Sequence, residues 1–95
     1  MDIEKLDQAA EMLKCIAHPT RLSIIHLLEK NEEMSVSDIH TQLNIEQAVA
    51  SHHLSKMKSK NVLQSRREGK SSLYSLKNKE FSFVLSCIEK CMKGD

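Results

Sequence analysis

Residues 35–60 are SVSDIHTQLNIEQAVASHHLSKMKSK, and they contain two helical patterns separated by the short turn 44–46. The stretch 34–39 opens the first helix, because Ser35 with Asp38 three residues later resembles a capping box. The apolar stripe of this helix consists of Ile39 and Leu43. The spacing therefore predicts a helix, a tight turn and a second helix.

The second of these helices is predicted from about Gln47 to Lys60, and Asn61 at its end tolerates a left-handed conformation. Apolar residues at helical spacing are expected to face inward, with Val49 and Leu54 as the anchors to the core: Val49, Ala50, Leu54 and Met57. His53, beside these positions, is expected to be a packing or capping residue.

Small and polar side chains are left to point outward from the same helix: Gln47, Ala48, Ser51, His52 and Ser55. Gln can pair with adenine through two hydrogen bonds, Ser can bond several bases, and an Ala methyl group can touch thymine. Such side chains near a helix N-terminus suit the major groove of DNA. We therefore predict these five residues as base-reading.

Two helices are predicted before this region. The first is amphipathic and covers roughly residues 3–16, and the second starts at Pro19, whose missing N–H is harmless at the first helical position. After the fourth helix the hydrophobic period changes from helical to alternating. Residues 62–67 and 73–76 are predicted strands, with the turn 68–71 between them. A last helix follows with this apolar stripe: Phe81, Val84, Ile88 and Cys91.

The predicted fold is mainly α with a β-hairpin wing, in the order α-α-α-α-β-β-α. Two helices joined by a tight turn and followed by a hairpin form a winged helix-turn-helix. The 95 residues allow one domain, residues 1–95, with one modest core, and two Gly and one Pro suggest no linker.

The charges are unevenly distributed, although the net charge is only +1. Eight of the 14 basic residues lie between Lys56 and Lys79, opposed there by Glu68 alone. A basic half joined to an acidic half is typical of a protein that binds a polyanion. The residues predicted to contact the DNA backbone are Lys56, Lys58 and Lys60 on the helix, and Arg66, Arg67 and Lys70 in the wing.

The sequence argues against several other classes of protein. It has no Gly-rich phosphate loop, nucleophile elbow or His-x-x-x-His pair, so neither an enzyme nor a cofactor is predicted. No apolar run is long enough to cross a membrane, and an odd number of cysteines indicates the reducing cytoplasm. The alternative is a winged-helix adaptor that binds a protein. That role requires an apolar patch on the fourth helix, where the exposed positions are mostly polar.

Three motifs together resemble the ArsR/SmtB family: Ala17-His18-Pro19-Thr20-Arg21-Leu22, Ser51-His52-His53-Leu54, and Arg67-Glu68-Gly69-Lys70 before Tyr74-Ser75-Leu76. The resemblance covers nearly the whole chain. It implies a homodimer built on the first and last helices, for which the interface residues are Leu6, Leu13, Val84 and Ile88. It also implies a repressor that places two recognition helices on a pseudo-palindromic operator in double-stranded DNA. Many members of the family leave DNA when an inducer binds.

The chain departs from the best-known metal sensors of that family. Ser35-Val36-Ser37 stands where arsenic and cadmium sensors carry Cys-Val-Cys, and the last helix has none of the His residues that zinc and nickel sensors use. No metal site is therefore predicted. Cys15, Cys87 and Cys91 are the candidate thiol sensor, for redox or sulfur signals or for a thiophilic metal ion. The alternative is that they are structural, and core packing alone would explain Cys91.

Overall fold

The structure is a computed structural model and describes residues 1–94. It contains five helices and three strands in this order: α1 (Ile3–Ile16), α2 (Pro19–Asn31), β1 (Met34–Ser35), α3 (Val36–Leu43), α4 (Gln47–Ser59), β2 (Leu63–Glu68), β3 (Ser71–Leu76) and α5 (Phe81–Met92). The predicted winged helix-turn-helix is confirmed, with α3 and α4 as the two helices and β2 and β3 as the wing. No helix within residues 1–94 has the length and apolarity to span a membrane.

Side chains cap the predicted helix starts. Ser35 Oγ accepts a hydrogen bond from the Asp38 amide at 3.1 Å, so Ser35 is the N-cap of α3. At α2, Pro19 occupies the first turn, and the N-cap His18 accepts from the Thr20 amide through Nδ1 at 3.1 Å. These caps fix where each helix begins.

Left-handed residues end α3 and follow α4. Asn44 has φ 55° and ψ 47°, and its amide donates to the carbonyls of His40 and Thr41. Asn61 has φ 64°, as the sequence predicts. An Asn side chain tolerates this conformation better than most, so both turns are tight without glycine.

The sheet is antiparallel in the order β1-β3-β2. Glu68 pairs with Ser71 across a two-residue turn, and Gly69, with φ +62°, occupies the position at which such a hairpin favours glycine. The prediction that Met34 opens a helix was wrong, because Met34 pairs with Tyr74 and Ser35 with Leu73. A strand of two residues is too short to show the alternating hydrophobic pattern that identifies strands in a sequence. Its pairing partners, Leu73 and Tyr74, also lie far along the chain.

The core joins the helices to the sheet. Its fully buried large side chains are Ile24, Ile25, Ile39, Leu54, Met57, Val62 and Leu63. Val49 is not an anchor as predicted, because its side chain is 43% exposed. The inward face of α4 instead comprises Ala50, His53, Leu54 and Met57. Core packing does not explain Cys91 either, since no residue of α5 is fully buried and Cys91 is exposed.

Candidate DNA-binding surface

The recognition helix α4 is held by its inward face and exposes a polar one. At about 100° per residue, the five predicted base-reading positions span roughly 140° of the helix circumference, opposite the buried residues. Gln47, Ala48, His52 and Ser55 are exposed, and Ser51 is half-buried. The structure therefore brings all five together on one outward arc, which begins at the N-terminus of the helix.

Lysines continue this surface along the C-terminal half of α4. Lys56, Lys58 and Lys60 are all exposed. Lys58 Nζ donates to Ser65 Oγ at 2.7 Å and so links α4 to the first strand of the wing. Lys60 lies 3.7 Å from a carboxylate oxygen of Glu11 on α1. Lys58 and Lys60 thus lie where the recognition helix meets the wing and α1.

The two arginines of the wing have different surroundings. Arg66 and Arg67 are adjacent in β2, and neighbouring residues of a strand point to opposite faces of the sheet. Arg66 donates two hydrogen bonds to the Glu33 carboxylate, at 2.7 and 2.9 Å, and also lies 2.9 Å from Glu68. The hydrogen bond from Arg66 lowers the pKa of Glu33, and Glu33 in turn raises the pKa of Arg66. Arg66 thereby ties the wing to the end of α2, while Arg67 and Lys70 are exposed at the tip.

A buried polar contact supports α4 from behind. His53 is only 8% exposed, and its Nδ1 accepts a hydrogen bond from Arg21 Nε at 3.0 Å. Arg21 also donates from Nη1 to the carbonyl oxygen of Cys15, 2.9 Å away. The sequence indicates that His53 is a packing or capping residue beside the core, but it does not reveal the role of Arg21. The contact joins residues 32 positions apart, so helical spacing gives no sign of it.

A family profile described as "Bacterial regulatory protein, arsR family" matches residues 18–65, from the cap of α2 into the wing. The chain belongs to this family. It is 32% identical to an HTH-type transcriptional regulator of Methanocaldococcus jannaschii, MJ1325, over 92% of this chain and 98% of the relative. It is 36% identical to the transcriptional repressor PagR of Bacillus anthracis, over 87% of this chain and 83% of the relative.

Solved structures agree with the family assignment. The crystal structure of PagR matches with a TM-score of 0.82 and 34% identity, covering 92% of this chain and 99% of the other. The winged helix-turn-helix domain of Mb0332 from Mycobacterium bovis, described as homodimeric, matches with a TM-score of 0.87 and 27% identity, over 100% and 94% of the two chains. This arsR-family protein is therefore a DNA-binding transcriptional regulator and not an enzyme.

The cysteines of this arsR-family chain occupy two environments. Cys15 is buried at the end of α1, with its thiol 3.7 Å from Arg21 Nη1. Cys87 and Cys91 are exposed on α5. All three are free thiols, and residues 1–94 contain no group of three His, Cys, Asp or Glu side chains able to hold a metal ion.

Apolar side chains remain uncovered on the first and last helices. Leu6 and Leu13 of α1 and Ile88 of α5 are all exposed, and Val84 is half-buried. Other large apolar side chains on or beside these helices are exposed as well: Met1, Ile3, Phe83 and Met92. Two helices with exposed apolar faces are more than a monomer of this size ordinarily presents to water.

Proposed function

We propose that the protein is a homodimeric cytoplasmic repressor that binds a pseudo-palindromic operator, with α4 in the major groove and the wing beside the DNA backbone. The observation that carries this proposal is the outward polar arc of α4, opposite its buried face and followed by exposed lysines along the same helix. Winged helix-turn-helix proteins read DNA from such a helix.

The residues divide into two roles. Gln47, Ala48, Ser51, His52 and Ser55 are the proposed base contacts, which carry sequence specificity. Lys56, Lys58, Lys60, Arg67 and Lys70 are the proposed backbone contacts, which supply affinity and fix the register. Arg66 contributes less free charge than its neighbour, since Glu33 and Glu68 already neutralise it. Its main role is then to hold the wing at a fixed angle to the recognition helix.

Dimerisation through α1 and α5 would cover the apolar faces around Leu13 and Ile88. The homodimeric M. bovis domain and the repressor PagR support a dimeric repressor for this chain. A two-fold dimer presents two copies of α4, and the symmetry of its operator follows from that geometry.

The inducer would act through the cysteines if the signal is a thiol-reactive species or a thiophilic metal ion. Cys87 and Cys91 are directly accessible in the protomer, whereas Cys15 is buried. They lie four residues apart on α5, hence on one side of the proposed dimer helix. A modification of Cys87 or Cys91 would change the proposed dimer interface. A modification of Cys15 would disturb Arg21, which supports α4 through His53.

A test compares binding to the DNA upstream of the protein's own gene with binding to random DNA of equal length. Because base contacts carry specificity, the variant with both Ser51→Ala and His52→Ala should lose about tenfold or more of the preference for the upstream DNA. Ser23→Ala removes an exposed hydroxyl from α2 and is the matched control. An unchanged preference in the double variant would show that α4 does not read bases. If the parent protein has no preference for the upstream DNA even at low salt, the adaptor role replaces this one.

A further inference from the structure

We propose that Arg21 is a positioning residue for DNA recognition: through neutral His53 it holds α4 in its reading orientation, and protonation of His53 releases that hold. The inference rests on the proposed function of α4. It assigns a role to two residues that lie behind the DNA-binding arc rather than on it.

Arg21 connects three helices. Its Nε donates to His53 Nδ1 on α4 at 3.0 Å, and its Nη1 donates to the Cys15 carbonyl at the end of α1 at 2.9 Å. The thiol of Cys15 in turn lies 3.9 Å from the carbonyl oxygen of Lys56, one turn after His53. The recognition helix is thus tied to α1 and α2 directly beneath its own lysines. A change in this contact alters the angle of α4 without touching any residue that faces DNA.

The contact requires His53 to be neutral. A guanidinium group has only hydrogen-bond donors, so Nδ1 of His53 must be the acceptor and the ring proton must lie on Nε2. Protonation would place a hydrogen on Nδ1, opposite the Arg21 N–H at 3.0 Å. The hydrogen bond would then be lost, and two cations would face each other in a buried position.

The groups around His53 oppose its protonation. His18, the cap of α2, has its ring centroid 4.7 Å away, and His52 on α4 lies at 5.9 Å. The guanidinium of Arg21 is the hydrogen-bond partner of His53, and the thiol of Cys15 on α1 lies 3.7 Å from Nη1 of the same guanidinium. Burial lowers the pKa of His53 below its ordinary value, and the charges of Arg21, His18 and His52 lower it further.

The sign of the pH effect follows from linkage. Above the ordinary histidine pKa, His53 is neutral in both folded and unfolded chains, and the contact stabilises the fold fully. As the pH falls from there through the lowered pKa of the folded state, the unfolded chain binds more protons and this contribution is lost. The ratio of specific to random binding, compared between the parent protein and a variant of His53 that cannot titrate, reports the orientation of α4, because His18 and the proposed base contact His52 are present in both proteins.

The experiment measures this ratio by fluorescence anisotropy from about pH 8 to about pH 4.5, a range that extends well below the ordinary histidine pKa because the pKa of His53 is lowered. For the parent protein we expect the ratio to fall about tenfold, as for the loss of one charge-assisted hydrogen bond. His53→Gln keeps an oxygen acceptor for Arg21 but does not titrate, so its ratio should fall clearly less than that of the parent. His26→Gln removes an exposed histidine of α2 and should retain the parent profile.

The titration can also be followed without any substitution, by recording the ring nitrogen shifts of His53 by NMR. We expect the Nε2–H tautomer of His53 to persist below the ordinary histidine pKa of about 6.5, and the amide shifts of α4 to change when His53 is finally protonated. A pH-independent ratio in the parent, or protonation of His53 at or above the ordinary histidine pKa, would overturn the inference. Absence of any preference for the upstream DNA at pH 8 would instead contradict the proposed function.

Discussion

Replacing a buried and an exposed aliphatic residue of α4 tests which face of the helix points inward. Leu54 is fully buried among the core side chains, whereas Val49 is 43% exposed. Leu54→Ala removes three buried carbon atoms and leaves a cavity, which typically destabilises a protein by about 2–5 kcal/mol. Val49→Ala should change stability by less than about 1 kcal/mol, because much of its side chain is already in water.

These differences are large for a domain of this size. Total stabilities are typically about 5–15 kcal/mol, and each kcal/mol shifts Tm by roughly 4–8 °C. Urea denaturation followed by circular dichroism gives the free energy of unfolding of each variant. All variants are compared at one protein concentration, since dimerisation adds to stability. If Val49→Ala is as destabilising as Leu54→Ala, α4 is rotated from the orientation described, and the arc from Gln47 to Ser55 is not its DNA-facing side.

Three further predictions concern the wing, the dimer and the thiols. Arg67→Ala should weaken binding to all DNA sequences and reduce the slope of log affinity against log salt concentration by about one, while Arg66→Ala should reduce that slope less. Equal slopes for the two variants would contradict the ion pairing of Arg66. Ile88→Asp should yield a folded monomer in light scattering, because a charge would be buried at the dimer interface, and a persistent dimer would place the interface elsewhere. In that monomer a thiol reagent should label the two cysteines of α5 quickly and Cys15 slowly, since Cys15 must wait for local opening; three equal rates would contradict its burial.

The local features of the fold were predictable because they depend on neighbouring residues. Pro19 marked the start of α2, Ser35 the start of α3 and Gly69 the turn of the wing, and each of these signals acts within about four residues. The strand β1 was not predictable in this way. Met34 is extended because β3 lies beside it, and β3 is 40 residues further along the chain.

The site was predictable in its exposed part and not in its supports. Polar residues at helical spacing identified the outward arc of α4, but the same spacing assigned Val49 to the core. His53, and not Val49, is buried on the inward face of α4, because Arg21 of α2 donates a hydrogen bond to its ring nitrogen. The pairing of Arg66 with Glu33 was likewise hidden, since it joins residues 33 positions apart. Contacts between elements decide which polar residues are free to bind DNA.

The most direct test of the central claim is the affinity of the unmodified protein for the DNA upstream of its own gene as a function of salt. Several lysines and arginines on one surface predict counterion release, so binding should be tight at low salt and fall about 10³-fold or more between about 50 and 200 mM. Random DNA should bind more weakly at every salt concentration. Affinity that is equal for the two DNAs, or independent of salt, would contradict the account.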